Sequence, residues 1–402
     1  MPARPRSDAT SLPSPPTSAA LPLPDAAARA HSARVSAAIG RAIDEAGGFL
    51  PFERYLQIAL YAPALGYYVA GARKFGAGGD FVTAPELTSL FGATLAQQLA
   101  AILAASGARE IVELGAGTGK LAADLLNALA AMDAGPARYR IVEVSPELEE
   151  RQCATIERVA PACRARVEWS EGLPSSIDGA VVMNEVLDAV PAHLIARHDG
   201  QWLERGVSRA AAGFAWAERP LVDAHLTALA AARFPPVIDY ASELNPAAEA
   251  LVELTARRLT AGALVIIDYG FPRAEYYHPQ RSAGTLMGHY RHHAHSDPFL
   301  WPGLSDLTAH VDFTAMAAAG ERAGLAVAGF ASQSAFLLSC GLLERLSAVG
   351  APDSAAYLRE ASALQMLTSP AEMGELFKVL ALERSERIAW PGFLLSDRAH
   401  RL

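Results

Sequence analysis

Ten residues, Ile111 to Lys120 (IVELGAGTGK), constrain the fold of this chain more than any other stretch. A β-branched run ends in an acidic residue and opens into alternating glycines before an apolar helical pattern begins. That order reads as strand, tight loop and helix N-terminus, the place where an α/β sheet binds a nucleotide-like ligand. Gly115, Gly117 and Gly119 let the backbone turn sharply and approach a ligand with no Cβ in the way. Glu113 places a carboxylate at the strand end. The spacing is E-x-G-x-G-x-G, which departs from the dinucleotide pattern G-x-G-x-x-G. It also departs from the P-loop, because Leu114 stands where the first glycine belongs and Leu121 follows the lysine.

What remains matches the first motif of S-adenosylmethionine (AdoMet) methyltransferases; a glycine-rich turn in an unrelated α/β domain is the alternative. AdoMet carries no phosphate, and its sulfonium and amino groups are cationic, so an acidic lining suits it. The flanking pattern alternates strand and helix: Ile111–Leu114, a helix to Ala131, Tyr139–Val144, a helix from Glu147, Val167–Trp169 and Ala180–Asn184. Such alternation predicts an α/β, doubly wound, mostly parallel sheet. Leu264–Asp268, Gly329–Phe330 and Phe377–Leu382 read as later strands, and residues 197–218 as a hairpin around Asp199-Gly200.

Upstream, residues 1–30 form a tail rich in Pro, Ser and Ala, without the apolar core of a secretory signal and with too few acids to exclude a transit peptide. Residues 31–105 read as a helical region, with helices over Ser32–Ala46 and Pro51–Leu60 and a long one from Pro85. The AdoMet-binding core then covers 106–335, a second helical region 336–375, and the final strand with a C-terminal tail 376–402. Residues 270–310 lack periodicity and read as a functional insertion, a wall or lid beside the ligand pocket.

Composition narrows the function classes. Over 402 residues the formal charge is −9, which argues against a nucleic-acid partner. No apolar run reaches the length of a membrane span. Three cysteines without C-x-x-C spacing point to a reducing compartment and to neither a disulfide framework nor a zinc site. A bacterial cytoplasm is the expected location, with a mitochondrial matrix as the alternative. The oligomeric state is not readable.

The candidate ligand residues sit at strand ends. Glu143 closes the second strand, where an acid accepts hydrogen bonds from ribose hydroxyls or is simply solvated. Trp169 ends the third and offers an aromatic face to an adenine or to the core. The fourth delivers Asn184, Glu185 and Asp188 to the same edge, as substrate contacts or as helix caps. Paired carboxylates such as Glu185 and Asp188 hold a planar guanidinium and share its charge. In Gly79–Glu86, Thr83 and Glu86 enter a helix and are placed to fold over the cofactor. Six of the eleven histidines lie between His278 and His310, yet none falls in an H-E-x-x-H pattern, and substrate binding is favoured over a metal.

Seven strings extend these readings over most of residues 34–383: GDFVTAPE (79–86), VELGAGTGKLAADLL (112–126), NEVLDAVP (184–191), DYGFPRAEYYHPQRSAGTL (268–286), HYRHHAHSDP (289–298), DLTAHVDFTA (306–315) and FKVLAL (377–382). On these the chain resembles the MidA-like AdoMet-dependent methyltransferases. Val186-Leu187 stands where a more aromatic pair is associated with that family. The resemblance implies a class I, Rossmann-like methyltransferase core with an added helical region and AdoMet as cofactor. Mitochondrial members are linked to arginine methylation of a respiratory complex I subunit, which implies a protein substrate. The expected cofactor contacts are Thr83, Glu86, Glu113, Gly115, Gly117, Gly119, Glu143, Trp169 and Asn184. Glu185 and Asp188 are the expected catalytic pair; His278, Arg281, Tyr290 and Arg291 the expected substrate contacts. Methylation of a small molecule and a non-catalytic AdoMet-binding assembly factor are the competing functions.

Overall fold

The computed structural model describes residues 21–69, 83–384 and 388–402. Its centre is a sheet of seven main strands: β1 (Glu110–Leu114), β2 (Arg138–Val142), β3 (Val167–Ser170), β4 (Ile177–Asn184), β5 (Leu259–Phe271), β6 (Ala326–Ser332) and β7 (Phe377–Glu383). Their order is β6-β7-β5-β4-β1-β2-β3. Neighbours among β1 to β5 pair in parallel, whereas β7 runs antiparallel to both β5 and β6. Strand alternation divides the core into two faces. Val182 and Val265 pack into one apolar cluster and Val181 and Leu264 into the other. Helices α1 (Ser89–Ser106) and α2 (Lys120–Ala131), with Ile156 of α3 (Pro146–Val159), cover the first face. Helices α4 (Pro246–Arg258) and α5 (Phe313–Arg322) cover the second. The fold is therefore the α/β class I type.

Among the described residues, α1 is the one helix long and apolar enough, by length and composition, to cross a membrane. This corrects the expectation that no run reaches that length. Phe91, Leu95, Leu99 and Ile102 on this helix are fully buried in the cluster it shares with α2, so its apolarity serves the core.

The added region is more than helical. A second, antiparallel sheet joins Leu50–Pro51, His193–His198, Gln201–Ala210, Gly213–Pro220 and Tyr240–Leu244. The expected turn at Asp199-Gly200 is present, with His198 opposite Gln201, and a further turn separates Ala210 from Gly213. The first helix starts at Ala26, inside the stretch read as a tail, because Asp25 caps it through the Ala28 N–H at 2.8 Å. Residues 1–20 lie outside the described residues.

Residues 270–310 contain strands too short for periodicity to reveal: Met287–Tyr290, His293–His295 and Asp306–Thr308 form a small sheet. The buried Glu243 fastens this segment. Its carboxylate accepts from the Thr285 and Leu286 N–H groups at 2.8 and 2.9 Å and from the Tyr276 hydroxyl at 3.2 Å. Gly284 is required beside it: its φ is +77°, and a Cβ would stand 2.4 Å from Glu243 Oε1. Glu243→Gln should lower stability by about 2 kcal/mol, through loss of charge-assisted acceptance. An unchanged melting temperature would show that the segment is held elsewhere.

Candidate functional site

A cavity of about 910 Å³ opens at the carboxyl ends of β1, β2, β4 and β5. The three glycines after β1 have distinct tasks. Gly115 and Gly117 line the cavity with φ of +64° and +54°, and among the described residues nothing beyond the chain neighbours stands within 4 Å of a Cβ built at Gly117. Gly119 is not among the lining residues. A Cβ there would lie 2.8 Å from the Gln152 Cα, so this glycine serves the close approach of loop and α3.

At the end of β2, Glu143 Oε1 accepts from the Val144 and Ser145 N–H groups, both at 2.9 Å. Its Oε2 accepts from Gln152 Nε2 at 2.8 Å, and the same amide reaches the Gly117 carbonyl at 3.1 Å. Trp169 was expected against the adenine, yet it does not line the cavity. Its indole N–H donates to Gln152 Oε1 at 2.9 Å, and Arg164 covers its ring at 4.8 Å. Trp169 thus acts through Gln152 on Glu143 and on the glycine loop. Trp169→Phe should weaken binding of S-adenosylhomocysteine about fivefold, the worth of one neutral hydrogen bond. Titration calorimetry giving wild-type affinity would show that Gln152 needs no anchor.

Glu113, also lining the cavity, is buried and accepts from the Tyr139 hydroxyl at 2.5 Å. Burial pushes its carboxyl up to about 7, against the opposing hydrogen bond from Tyr139. Glu143 is also raised by burial. Two buried acids flanking a glycine loop, with Val142, Val144 and Leu148 beside them, fit a ligand that has a cationic end, ribose hydroxyls and a flat base. AdoMet has these parts. Thr83, Pro85 and Glu86 add a further wall, and the Thr118 hydroxyl donates to Glu86. Gly79 to Val82, expected in the same loop, lie outside the described residues.

The acceptor side is built after β4. Glu185 has a φ of +54°, unusual for a side chain of its kind, and its N–H bonds the Ile267 carbonyl at 2.9 Å. The next three N–H groups, of Val186, Leu187 and Asp188, converge on Asp268 Oδ2 at 3.2, 3.0 and 3.4 Å. A fully buried acid near the carboxyl end of β5 therefore holds the loop that presents Glu185 and Asp188. Asn184, Glu185 and Asp188 all line the cavity. Burial, then the neighbouring Asp188, pushes Glu185 up to about 8, and burial also raises Asp188. Asp188 Oδ1 is buried with no hydrogen-bond partner among the described residues. Opposite them, the stacked rings of Tyr61 and Tyr68 lie 5.3 Å apart, and the Tyr68 hydroxyl donates to Asp306 Oδ1 at 2.6 Å.

Of the expected substrate contacts, Arg281 lines the cavity and the other three do not. His278 is exposed and accepts the Gln280 N–H at 3.2 Å, shaping a turn. Tyr290 is buried against Trp301 at 5.1 Å. Arg291 sits in a left-handed turn with φ of +46°, exposed outside the cavity. From the histidine-rich segment, His289 and His310 face the cavity instead. No group of three His, Cys, Asp or Glu is placed to hold a metal ion among the described residues.

Sequence reasoning missed Asp268, Asp306, Tyr61 and Tyr68. Asp268 carried the signal that exposed Glu113 and Glu143, an acid directly after an apolar strand. Tyr61 and Tyr68 flank the short segment 62–67, which has no motif of its own. Met366, Glu372 and Met373, from the second helical region, also reach the cavity.

Residues 94–331 match the family model described as "Putative S-adenosyl-L-methionine-dependent methyltransferase". The chain is 30% identical over 393 residues to the Drosophila melanogaster "Protein arginine methyltransferase NDUFAF7 homolog, mitochondrial", covering 89% of this chain and 87% of that one. It is 29% identical over 379 residues to the Danio rerio protein arginine methyltransferase NDUFAF7, covering 86% of each. Among solved structures, a Burkholderia thailandensis protein bound to S-adenosyl-homocysteine superposes with a TM-score of 0.92. That pair is 48% identical, over 95% of this chain and all (100%) of the other.

Proposed function

This chain belongs to the family of S-adenosylmethionine-dependent methyltransferases, and from that premise we propose that it methylates an arginine side chain of a protein. The bound cofactor supplies an electrophilic methyl group. The residues then have three tasks: to hold the cofactor, to align the acceptor, and to take up a proton from the nucleophile. Glu113 and Glu143, with the Gly115–Gly117 backbone, form the cofactor end. Glu185 and Asp188 form the acceptor end. The observation that carries the acceptor class is the buried Asp188 Oδ1 without a hydrogen-bond partner among the described residues, beside the half-buried Glu185. A guanidinium brings a planar fork of donors and a charge to such a pair. Its arrival favours the ionised carboxylates, and one of them then accepts the proton released from the attacking nitrogen.

The names of the Drosophila and Danio relatives support a protein arginine as acceptor, and the resemblance in sequence points to a subunit of a respiratory complex. The mitochondrial relatives support the matrix as location, and the 48% identity to a Burkholderia thailandensis protein supports a bacterial cytoplasm. The test is radiolabelled AdoMet incubated with enzyme and a matching cell lysate, followed by mass spectrometry of labelled protein. Label on arginine of a discrete protein is the expected result. Label confined to small molecules would overturn it.

A further inference from the structure

The acceptor end of the cavity is acidic, but its far wall is basic. Arg281 lines the cavity with its guanidinium 4.3 Å from the centre of the Phe271 ring. Its side chain makes no salt bridge among the described residues; its one hydrogen bond there is a 3.4 Å contact from Nε to the Glu275 carbonyl. Lys378, outside the cavity lining, donates from Nζ to the Glu375 and Leu376 carbonyls and lies 5.8 Å from the same ring, and the His310 ring packs on that ring at 5.1 Å. The nearby acids are engaged elsewhere: Glu275 with Arg401 and Glu375 with Arg398. His310 Nδ1 is buried without a hydrogen-bond partner among the described residues, and burial together with Arg281 and Lys378 holds the ring's pKa down to about 4. One side chain spans the two ends. Tyr269 meets His310 edge-on at 5.2 Å, and its hydroxyl is directed at Asp188.

We propose that Arg281, with His310 beside it and Lys378 behind, is a carboxylate-binding subsite that reads an acidic group next to the methyl-accepting cation. The inference rests on the arginine reading above and narrows it: the acceptor carries a negative charge about one tyrosine length from its guanidinium. A carboxylate supplies the bidentate partner that the Arg281 fork lacks, and a donor-accepting oxygen beside His310. Two sources share this chemistry, an acidic side chain flanking the arginine and the α-carboxylate of an arginine amino acid.

Peptide binding to the enzyme loaded with S-adenosylhomocysteine tests it by calorimetry. Arginine-centred peptides carrying Glu at each flanking position are compared with their Gln twins, and arginine with agmatine, which lacks the carboxylate. At least one Glu peptide should bind about tenfold or more tightly than its twin. Arg281→Gln should abolish that preference and Arg281→Lys should restore part of it, with affinity for S-adenosylhomocysteine unchanged throughout. A preference seen only between arginine and agmatine assigns the subsite to a free amino acid. Equal binding within every pair, arginine and agmatine included, or an equal loss for both members of the preferred pair in Arg281→Gln, overturns the proposal. Methyl label is scored separately: a Glu preference with no label on arginine removes the arginine reading and leaves the subsite standing.

Discussion

Gly117→Val abolishes cofactor binding while the protein stays folded: that is the expected result of placing a branched side chain at this loop. The backbone there has a φ of +54°, which costs an L-residue about 1–2 kcal/mol. The larger effect is steric. Among the described residues, beyond its chain neighbours, no atom lies within 4 Å of the new Cβ, so the side chain enters the cavity volume that the ligand needs. Affinity for AdoMet and S-adenosylhomocysteine should fall at least a hundredfold, roughly 2.7 kcal/mol, with a melting temperature only a few degrees lower. Wild-type affinity in a calorimetric titration would remove the glycine loop from the cofactor site. Gly119→Val is the informative control. It strikes α3 at Gln152, and so should lose stability before it loses binding.

Glu185→Gln and Asp188→Asn should each lower kcat about a hundredfold or more while cofactor affinity stays within about twofold. Both side chains sit after β4, apart from the Glu113–Glu143 end of the cavity. In the wild type, the rate should climb with pH through about 8 as Glu185 loses its proton. Stability should move the other way. An acid whose pKa is higher in the folded than in the unfolded state keeps its proton longer when folded. The stabilisation is complete below the unfolded value near 4 and drains away as pH rises through about 8. Glu185→Gln removes that penalty, so its melting temperature should exceed that of the wild type above pH 8. An inactive yet more stable variant would mark Glu185 as held for function at a cost in folding. Unaltered kcat in both variants would take the pair out of the reaction.

The parts of the molecule legible in the sequence were those made by local pattern. IVELGAGTGK shows its strand, loop and helix in ten consecutive residues, and FKVLAL shows an edge-to-edge apolar strand. Of the second sheet only the hairpin around Asp199-Gly200 was legible, because Leu50–Pro51 is a strand only by pairing with residues 206 and 207, far along the chain. The site followed the same division. Acids at strand ends reach the cavity because the parallel sheet aligns its carboxyl edge. Trp169 fulfilled the same positional rule and yet turned to Gln152, since a strand end fixes where a side chain starts and its neighbours fix where it points. In residues 270–310, the choice of Arg281 over His278, Tyr290 and Arg291 depended on a turn fastened by Glu243, a residue whose sequence surroundings gave no sign of that task.

The antiparallel strand β7 has a consequence for the order in which the molecule can be made. It lies between β5 and β6, yet it is translated after both, so two apolar strands must wait with bare hydrogen-bonding edges until residues 377–383 leave the ribosome. Met366, Glu372 and Met373, which wall the cavity, emerge just ahead of it. A nascent chain therefore completes this wall of the cavity and joins β5 to β6 almost together, once residues 366–383 have emerged, and a chain cut short before Phe377 keeps both edges open to other chains.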